Sequence, residues 1–156
     1  MIRMTRVTDY GIVLLTYFAR SPEGTLHTAR DLARDAHLPL PTVNKVLKTL
    51  TRRGLLESHR GVKGGYTLSR HPEEISVAEI ISATEGPVAM TECTVDGPGG
   101  CDHESECPVS DNWQRINQAI QEALDGISLA EMTRPLAPCN DGGSSGLLHV
   151  QGLQPS

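Results

Sequence analysis

Three cysteines stand close together in this 156-residue chain: Cys93, Cys101 and Cys107, with seven and five residues between them. A fourth, Cys139, lies apart. The stretch from 88 to 109 is rich in glycine, proline and acids and has neither helical nor strand periodicity, so it is too polar to bury thiols as small apolar side chains. Three cysteines in a chain expected in the cytoplasm do not suggest structural disulfides. Thiolates in such a stretch can wrap a soft metal centre. The spacing alone leaves open an iron–sulfur cluster, a zinc ion, bare redox thiols or no role. The C-x2-C knuckle of structural zinc is missing and no histidine pair follows. Asp102, His103, Glu104, Glu106 and Ser110 are the nearby candidates for a fourth ligand. A nucleophilic cysteine would need an oriented base, and His103 is the only histidine in the stretch, so an enzyme is not expected.

A second constellation is cationic. Lys45, Lys48, Arg52 and Arg53 fall within nine residues, and Arg60 and Lys63 sit among Gly61, Gly64 and Gly65. The net charge of −5 hides a division: residues 1–71 carry 12 Lys and Arg against 5 Asp and Glu (12 − 5 = +7), and residues 72–156 carry 2 against 14 (2 − 14 = −12). A basic half suits phosphate. Each lysine taken alone is better read as part of a solvated face; the pattern of elements decides between the two.

Those elements are mostly helical. Val7, Tyr10, Val13, Leu14, Tyr17 and Phe18 recur three and four apart, which predicts a helix over 5–20. Thr28 caps a second helix, with Asp31 three residues on. His37-Leu38-Pro39 is a short turn, and Pro41 suits the first helical position of a third helix, whose apolar face is Val43, Val46, Leu47 and Leu50. Gly54 ends it. Two strands, 55–59 and 66–69, flank the glycine loop. Ser76 to Glu79 is a capping-box pattern that opens a helix ending before Gly86-Pro87. The fold class is therefore mainly α with a small β-hairpin: a winged helix-turn-helix followed by a long helix. The third helix must be apolar on one side and polar on the other, short near its start and basic further along. Thr28, Pro41, Thr42, Asn44, Lys45, Lys48, Arg52, Arg60 and Lys63 are the candidate contacts to duplex DNA. Asn44 and Lys45 can reach base edges, Lys48 and Arg52 suit phosphates, and Arg60 at the hairpin tip suits a narrow minor groove.

Trp113, Ile116, Ile120, Leu124 and Ile127 form a seam along a helix from about 111 to 125. Exposed in a monomer, this stripe favours a homodimer, which also fits a reader of two half-sites. The organisation expected is a DNA-binding domain over 1–87, a cysteine stretch over 88–110, a dimerisation region over 111–132 and a disordered tail over 133–156, which holds Asp-Gly-Gly-Ser-Ser-Gly. No apolar run approaches a membrane span, and Met1 to Phe18, with Arg3, Arg6 and Asp9, does not read as a secretory leader, so cytoplasm is expected. Neither a membrane nor a small-molecule substrate is implied.

These residues resemble the winged-helix repressors of the IscR and NsrR type. The resemblance covers residues 1–132 and rests on Met4-Thr5, Thr8-Asp9-Tyr10, Arg30 to Ala33, Gly54-Leu55-Leu56, Arg60-Gly61 with Gly64-Gly65-Tyr66, Ile80 to Gly86, the three cysteines, Trp113 and Ile127 to Glu131. Residues 42–48 and 112–117 are most similar to the regulators of SUF-type cluster-assembly operons. The resemblance implies a homodimeric repressor of cluster-assembly genes whose DNA affinity follows an iron–sulfur cluster, 2Fe-2S or 4Fe-4S, on Cys93, Cys101 and Cys107. A nitric-oxide or redox signal within the same family and a zinc-stabilised DNA binder are the alternatives. Where the IscR branch has a histidine ligand this chain has Ser110. Asp9 matches the aspartate that the nitric-oxide-sensing branch donates from the other subunit, so it is the expected fourth ligand. The seven-residue first gap exceeds the five of the best-known members, which leaves nuclearity open. Pro39, Pro41, Asn44 and Lys45 replace the IscR branch's base-reading side chains, so the operator should differ.

Overall fold

The computed structural model describes residues 4–90 and 108–134. Cys93, Cys101, Cys107, Cys139 and the expected tail beyond residue 134 lie outside the described residues. The elements run α1 (Arg6–Arg20), α2 (Ala29–Asp35), α3 (Leu40–Arg52), β1 (Leu56–His59), β2 (Gly65–Leu68), a 3-10 turn (Pro72–Glu74), α4 (Val77–Glu85), α5 (Ser110–Asp125) and α6 (Leu129–Met132). The strands pair antiparallel, Leu56 opposite Leu68 and His59 opposite Gly65. The mainly helical class with one hairpin is as the sequence implies.

Caps define the helix starts. Thr5, Thr28, Ser76 and Ser128 each accept a hydrogen bond from the backbone N–H three residues on. Only Ser128 forms the full reciprocal box, with Glu131 reaching back to its N–H. Glu79, expected to do the same for Ser76, pairs with Arg70 instead, and Ser76 Oγ donates to Asp125 at the end of α5. Pro41 occupies the second helical position of α3, not the first, because Leu40 already has helical geometry.

Two helix ends share one geometry. After α2, Leu38 N–H bonds Ala33 O and His37 N–H bonds Arg34 O, with His37 at φ 54°. After α3, Leu55 N–H bonds Leu50 O and Gly54 N–H bonds Thr51 O, with Gly54 at φ 78°. Both are Schellman motifs, whose left-handed position favours glycine. The first sets the tight turn into α3 and the second the turn into the hairpin.

The core gathers Leu14, Leu15 and Phe18 of α1, Leu32 of α2, the four apolar residues of α3, Leu55, Leu56, Ile75 and Ile80. It is closed by Leu129, fully buried, from beyond α5. Val77 N–H bonds Ile127 O and Leu129 N–H bonds Ile75 O, which ties residues 127–129 to the start of α4. So the sequence expected to serve dimerisation divides: α5 stops at Asp125, and the segment after Gly126 returns to the winged domain. Ile127 lies beyond the end of α5 and off its seam. Trp113, Ile120 and Leu124 are half-buried in the single chain, and Ile116 remains 44% exposed. Among the described residues no helix is long and apolar enough to cross a membrane.

The two Schellman positions should respond with opposite signs. Gly54→Ala places a Cβ in left-handed backbone and should cost about 1–2 kcal/mol, whereas His37→Gly removes such a Cβ and should gain up to about 1 kcal/mol. Urea unfolding would read this as midpoints moving down and up, with unchanged slope.

Candidate nucleic-acid interface

With Val43, Val46, Leu47 and Leu50 buried, helical spacing turns Pro41, Asn44, Lys45, Lys48 and Arg52 outward, and all five are exposed. Thr42 is half-buried beside them. The sequence of α3 contains no acid, and its N-terminus has no side-chain cap, Pro39 standing at the cap position. The positive end of this helix is therefore unneutralised. The ion pairs among the described residues, Arg34 with Asp31 and Asp35, Arg70 with Glu79 and His71 with Glu23, leave every cation of α3 and of the hairpin loop unpaired.

A groove flanks α3 on each side. Towards the hairpin, Lys48, Thr51, Arg52, Ser58 and Tyr66 line a cleft of about 240 Å³. Towards α1, Arg6, Val7, Tyr10, Pro39, Pro41, Thr42 and Lys45 line one of about 470 Å³. The hairpin loop presents Arg60, Val62 and Lys63, all exposed. Glycine is needed at its base: a Cβ on Gly64 would fall 2.4 Å from His59 O, and one on Gly65 2.8 Å from His27 O. Gly65 thereby lets β2 run against His27, which exchanges both backbone hydrogen bonds with Tyr66. That bridge fixes the hairpin beside the start of α2. The His27 ring packs edge-on to Phe18 at 4.8 Å, and burial lowers its pKa against the opposing pull of Asp31 and Asp35. Thr28 differs from the other candidates: its hydroxyl donates to Asp31 Oδ2 at 2.7 Å and accepts from Asp31 N–H, so the cap already uses it.

Asp9 is exposed in the first turn of α1. Its neighbour Thr8 is fully buried and donates to Glu85 Oε1 at 2.5 Å, with Thr84 Oγ1 2.8 Å away. Glu85 Oε1 also accepts from Thr5 N–H at 2.7 Å. An acid at the C-terminus of α4, where the helix dipole opposes it, is thus stabilised by the N-terminus of α1. These bonds hold the Glu85 carboxyl below its ordinary pKa, the Thr8 hydroxyl contributing most and the Thr5 N–H next. Met90 N–H bonds Asn117 Oδ1 of α5 at 3.1 Å. Both sides of the cysteine stretch are therefore anchored to helices. Among the described residues no group of three or more His, Cys, Asp or Glu could hold a metal, and the three candidate cysteine ligands lie outside those residues. Sequence reasoning missed Glu85 and Arg6. Neither has a local signal, since both gain their setting from residues distant in the chain.

A family profile described as Rrf2, iron-dependent transcriptional regulator, matches residues 4–135. The HTH-type transcriptional regulator NsrR of Shouchella clausii is 33% identical over 79% of this chain and 78% of its own. The HTH-type transcriptional regulator IscR of Aliivibrio salmonicida is 31% identical over 84% and 77%. Among solved structures, CymR, the global cysteine regulator of B. subtilis, superposes with a TM-score of 0.66 at 24% identity, covering 85% of this chain and 97% of that one.

Glu85→Gln keeps the shape and removes the charge. A carboxylate with a lowered folded pKa contributes stability above its unfolded value and loses it as pH falls. At pH 7 the variant should be less stable than the parent by about 1 kcal/mol, kept modest by solvent exposure. The difference should shrink as pH falls below 4.5, the ordinary value. Denaturant unfolding of both proteins at a series of pH values checks it, and a gap independent of pH would contradict it.

Proposed function

The chain belongs to the Rrf2 family of transcriptional regulators, and from that membership we propose that it acts in the cytoplasm as a homodimeric repressor of iron–sulfur cluster assembly genes, its DNA affinity set by an iron–sulfur cluster. Its relatives are DNA-binding regulators and not enzymes. The observation that carries the DNA-facing half is the acid-free, uncapped α3, whose outward cations form no ion pair among the described residues. In this reading Thr42 and Asn44 read base edges, Pro41 lets the helix start approach closely, Lys48 and Arg52 meet phosphates, and Arg60 and Lys63 follow the minor groove. Lys45, expected at base edges from the sequence, meets phosphate instead because it lines the groove that Arg6 shares. Thr28 serves DNA through the cap that positions α2. The dimer forms through the face of α5 carrying Trp113, Ile116, Ile120 and Leu124.

Cys93, Cys101 and Cys107 would hold the cluster, completed by Asp9 of the partner subunit. Three thiolates and one carboxylate are a donor set that suits iron–sulfur ligation, and Asp9, exposed on α1, is available to another protomer. The cluster supplies a brace that depends on iron, sulfide and redox state. Asp9 would tie that brace to α1, and the Glu85 and Asn117 bonds would pass it to α4 and α5. Releasing it would alter the spacing of the two recognition helices, to which a palindromic site is sensitive. Abundant clusters then repress and scarcity relieves. Because Ser110 stands where a histidine ligand would and Asp9 is exposed, nitric oxide as the signal is the second reading.

Anaerobic purification with iron and acid-labile sulfide counted per chain tests the sensor. Matched iron and sulfide with visible charge-transfer bands are expected, and Asp9→Ala should change the spectrum or shorten cluster lifetime. A protein that stays colourless after anaerobic reconstitution, or holds zinc, would remove the cluster reading and leave a DNA-binding dimer. Equal affinity of holo and apo protein for one operator would remove the switch. For the DNA face, Asn44→Ala should lose about 1–3 kcal/mol on the preferred site and relax base preference at one position, while Lys48→Ala weakens all duplexes alike.

A further inference from the structure

The groove between α1 and α3 takes Pro41, Thr42 and Lys45 from the proposed DNA face, but its α1 wall has no part in that face. Its volume is about 470 Å³, and its two cations come from different elements, Arg6 from α1 and Lys45 from α3. Arg6 is exposed and forms no ion pair with any described residue. Asp9, one turn along the same helix, forms no ion pair with it, and Glu85 is engaged with Thr5 and Thr8.

Arg6 is also the first residue of α1, at the positive end of the helix dipole, where a cation weakens the helix. Fold stability therefore gives no reason for a positive charge there. The opposite wall is the uncapped start of α3, whose dipole likewise favours an anion. Two cations and a helix start thus face one open groove from two sides. The cleft on the other flank of α3 carries its own pair, Lys48 and Arg52. A helix lying in the major groove has a phosphate strand on each side. The two clefts, one lined from α1 and one from the hairpin, offer a cationic wall beside α3 on both flanks.

We propose that the α1–α3 groove seats a backbone phosphate of duplex DNA, held by Arg6 and Lys45, so that α1 is part of the DNA-binding surface. The seat rests on the reading of α3 as the recognition helix. It adds affinity without sequence information, since the group it grips is the same at every base step.

Binding of the full chain to two short duplexes, one selected in vitro against the wild type and one of mixed sequence, measured over a range of salt, tests this. Arg6→Gln should weaken both by a similar factor of about ten and reduce the slope of log affinity against log salt by about 0.9. Arg6→Lys should keep the slope. Arg20→Gln, an equal charge loss at the other end of α1, should change neither quantity appreciably. Thermal unfolding of Arg6→Gln should stay level or rise, which separates a lost contact from a damaged fold. Wild-type affinity and slope retained in Arg6→Gln, or a loss matched by Arg20→Gln, would overturn the seat alone. A wild type that binds neither duplex would overturn the recognition-helix reading and the seat with it.

Discussion

Val43, Val46, Leu47 and Leu50 bury one face of α3 almost completely. At roughly 1.5–3 kcal/mol each, their transfer from water is on the order of 6–12 kcal/mol before entropic costs. Rotating the helix by one residue would bring Lys45 or Lys48 towards the core, where an unpaired ammonium is costlier than any compensating contact. The apolar face therefore decides where Asn44, Lys45, Lys48 and Arg52 point. The turns on either side complete the constraint, because the Schellman motifs at His37 and Gly54 fix how the chain enters and leaves. The exposed cationic face is the remainder left by core packing.

The same division explains what could be read from the sequence. Periodicity in α3, the caps at Thr28 and Ser76, and the glycines between the strands are local signals, and each corresponds to a local hydrogen bond or burial pattern in the structure. The hairpin's glycines carried a further requirement that the sequence concealed. Gly65 is small because His27, almost forty positions earlier, runs alongside. The Glu85 bonds to Thr5 and Thr8 span about eighty positions, and no pattern within one helix announces them. Arg6 looked like an ordinary charge on an amphipathic helix until α3 formed the opposite wall. The ligand set of the cysteine stretch rests on sequence and resemblance, since the described residues stop on either side of it.

Net charge misleads for a related reason. The chain is acidic at −5, yet its first 71 residues sum to +7. Phosphates within a Debye length of α3 respond to the local field, and acids farther away are screened. Within the basic half three of the five acids are engaged away from α3. Asp31 and Asp35 bind Arg34, and Glu23 faces His71. An acidic remainder limits indiscriminate adhesion to nucleic acid while leaving the basic surface free.

The buried position of Leu129 has a consequence for synthesis. The winged domain has every element from α1 to α4 once residue 85 is made, yet its core still lacks the side chain that fills it and the backbone bonds at Ile75 and Val77. A ribosome adding 5–20 residues per second takes roughly 2–8 s to go from residue 90 to residue 129. During that interval the nascent chain is a winged domain with an unfilled core, and it acquires its final packing only after the cysteine stretch has emerged. Maturation is thereby ordered: the winged domain reaches its final packing only after every residue between α4 and α5 has been made.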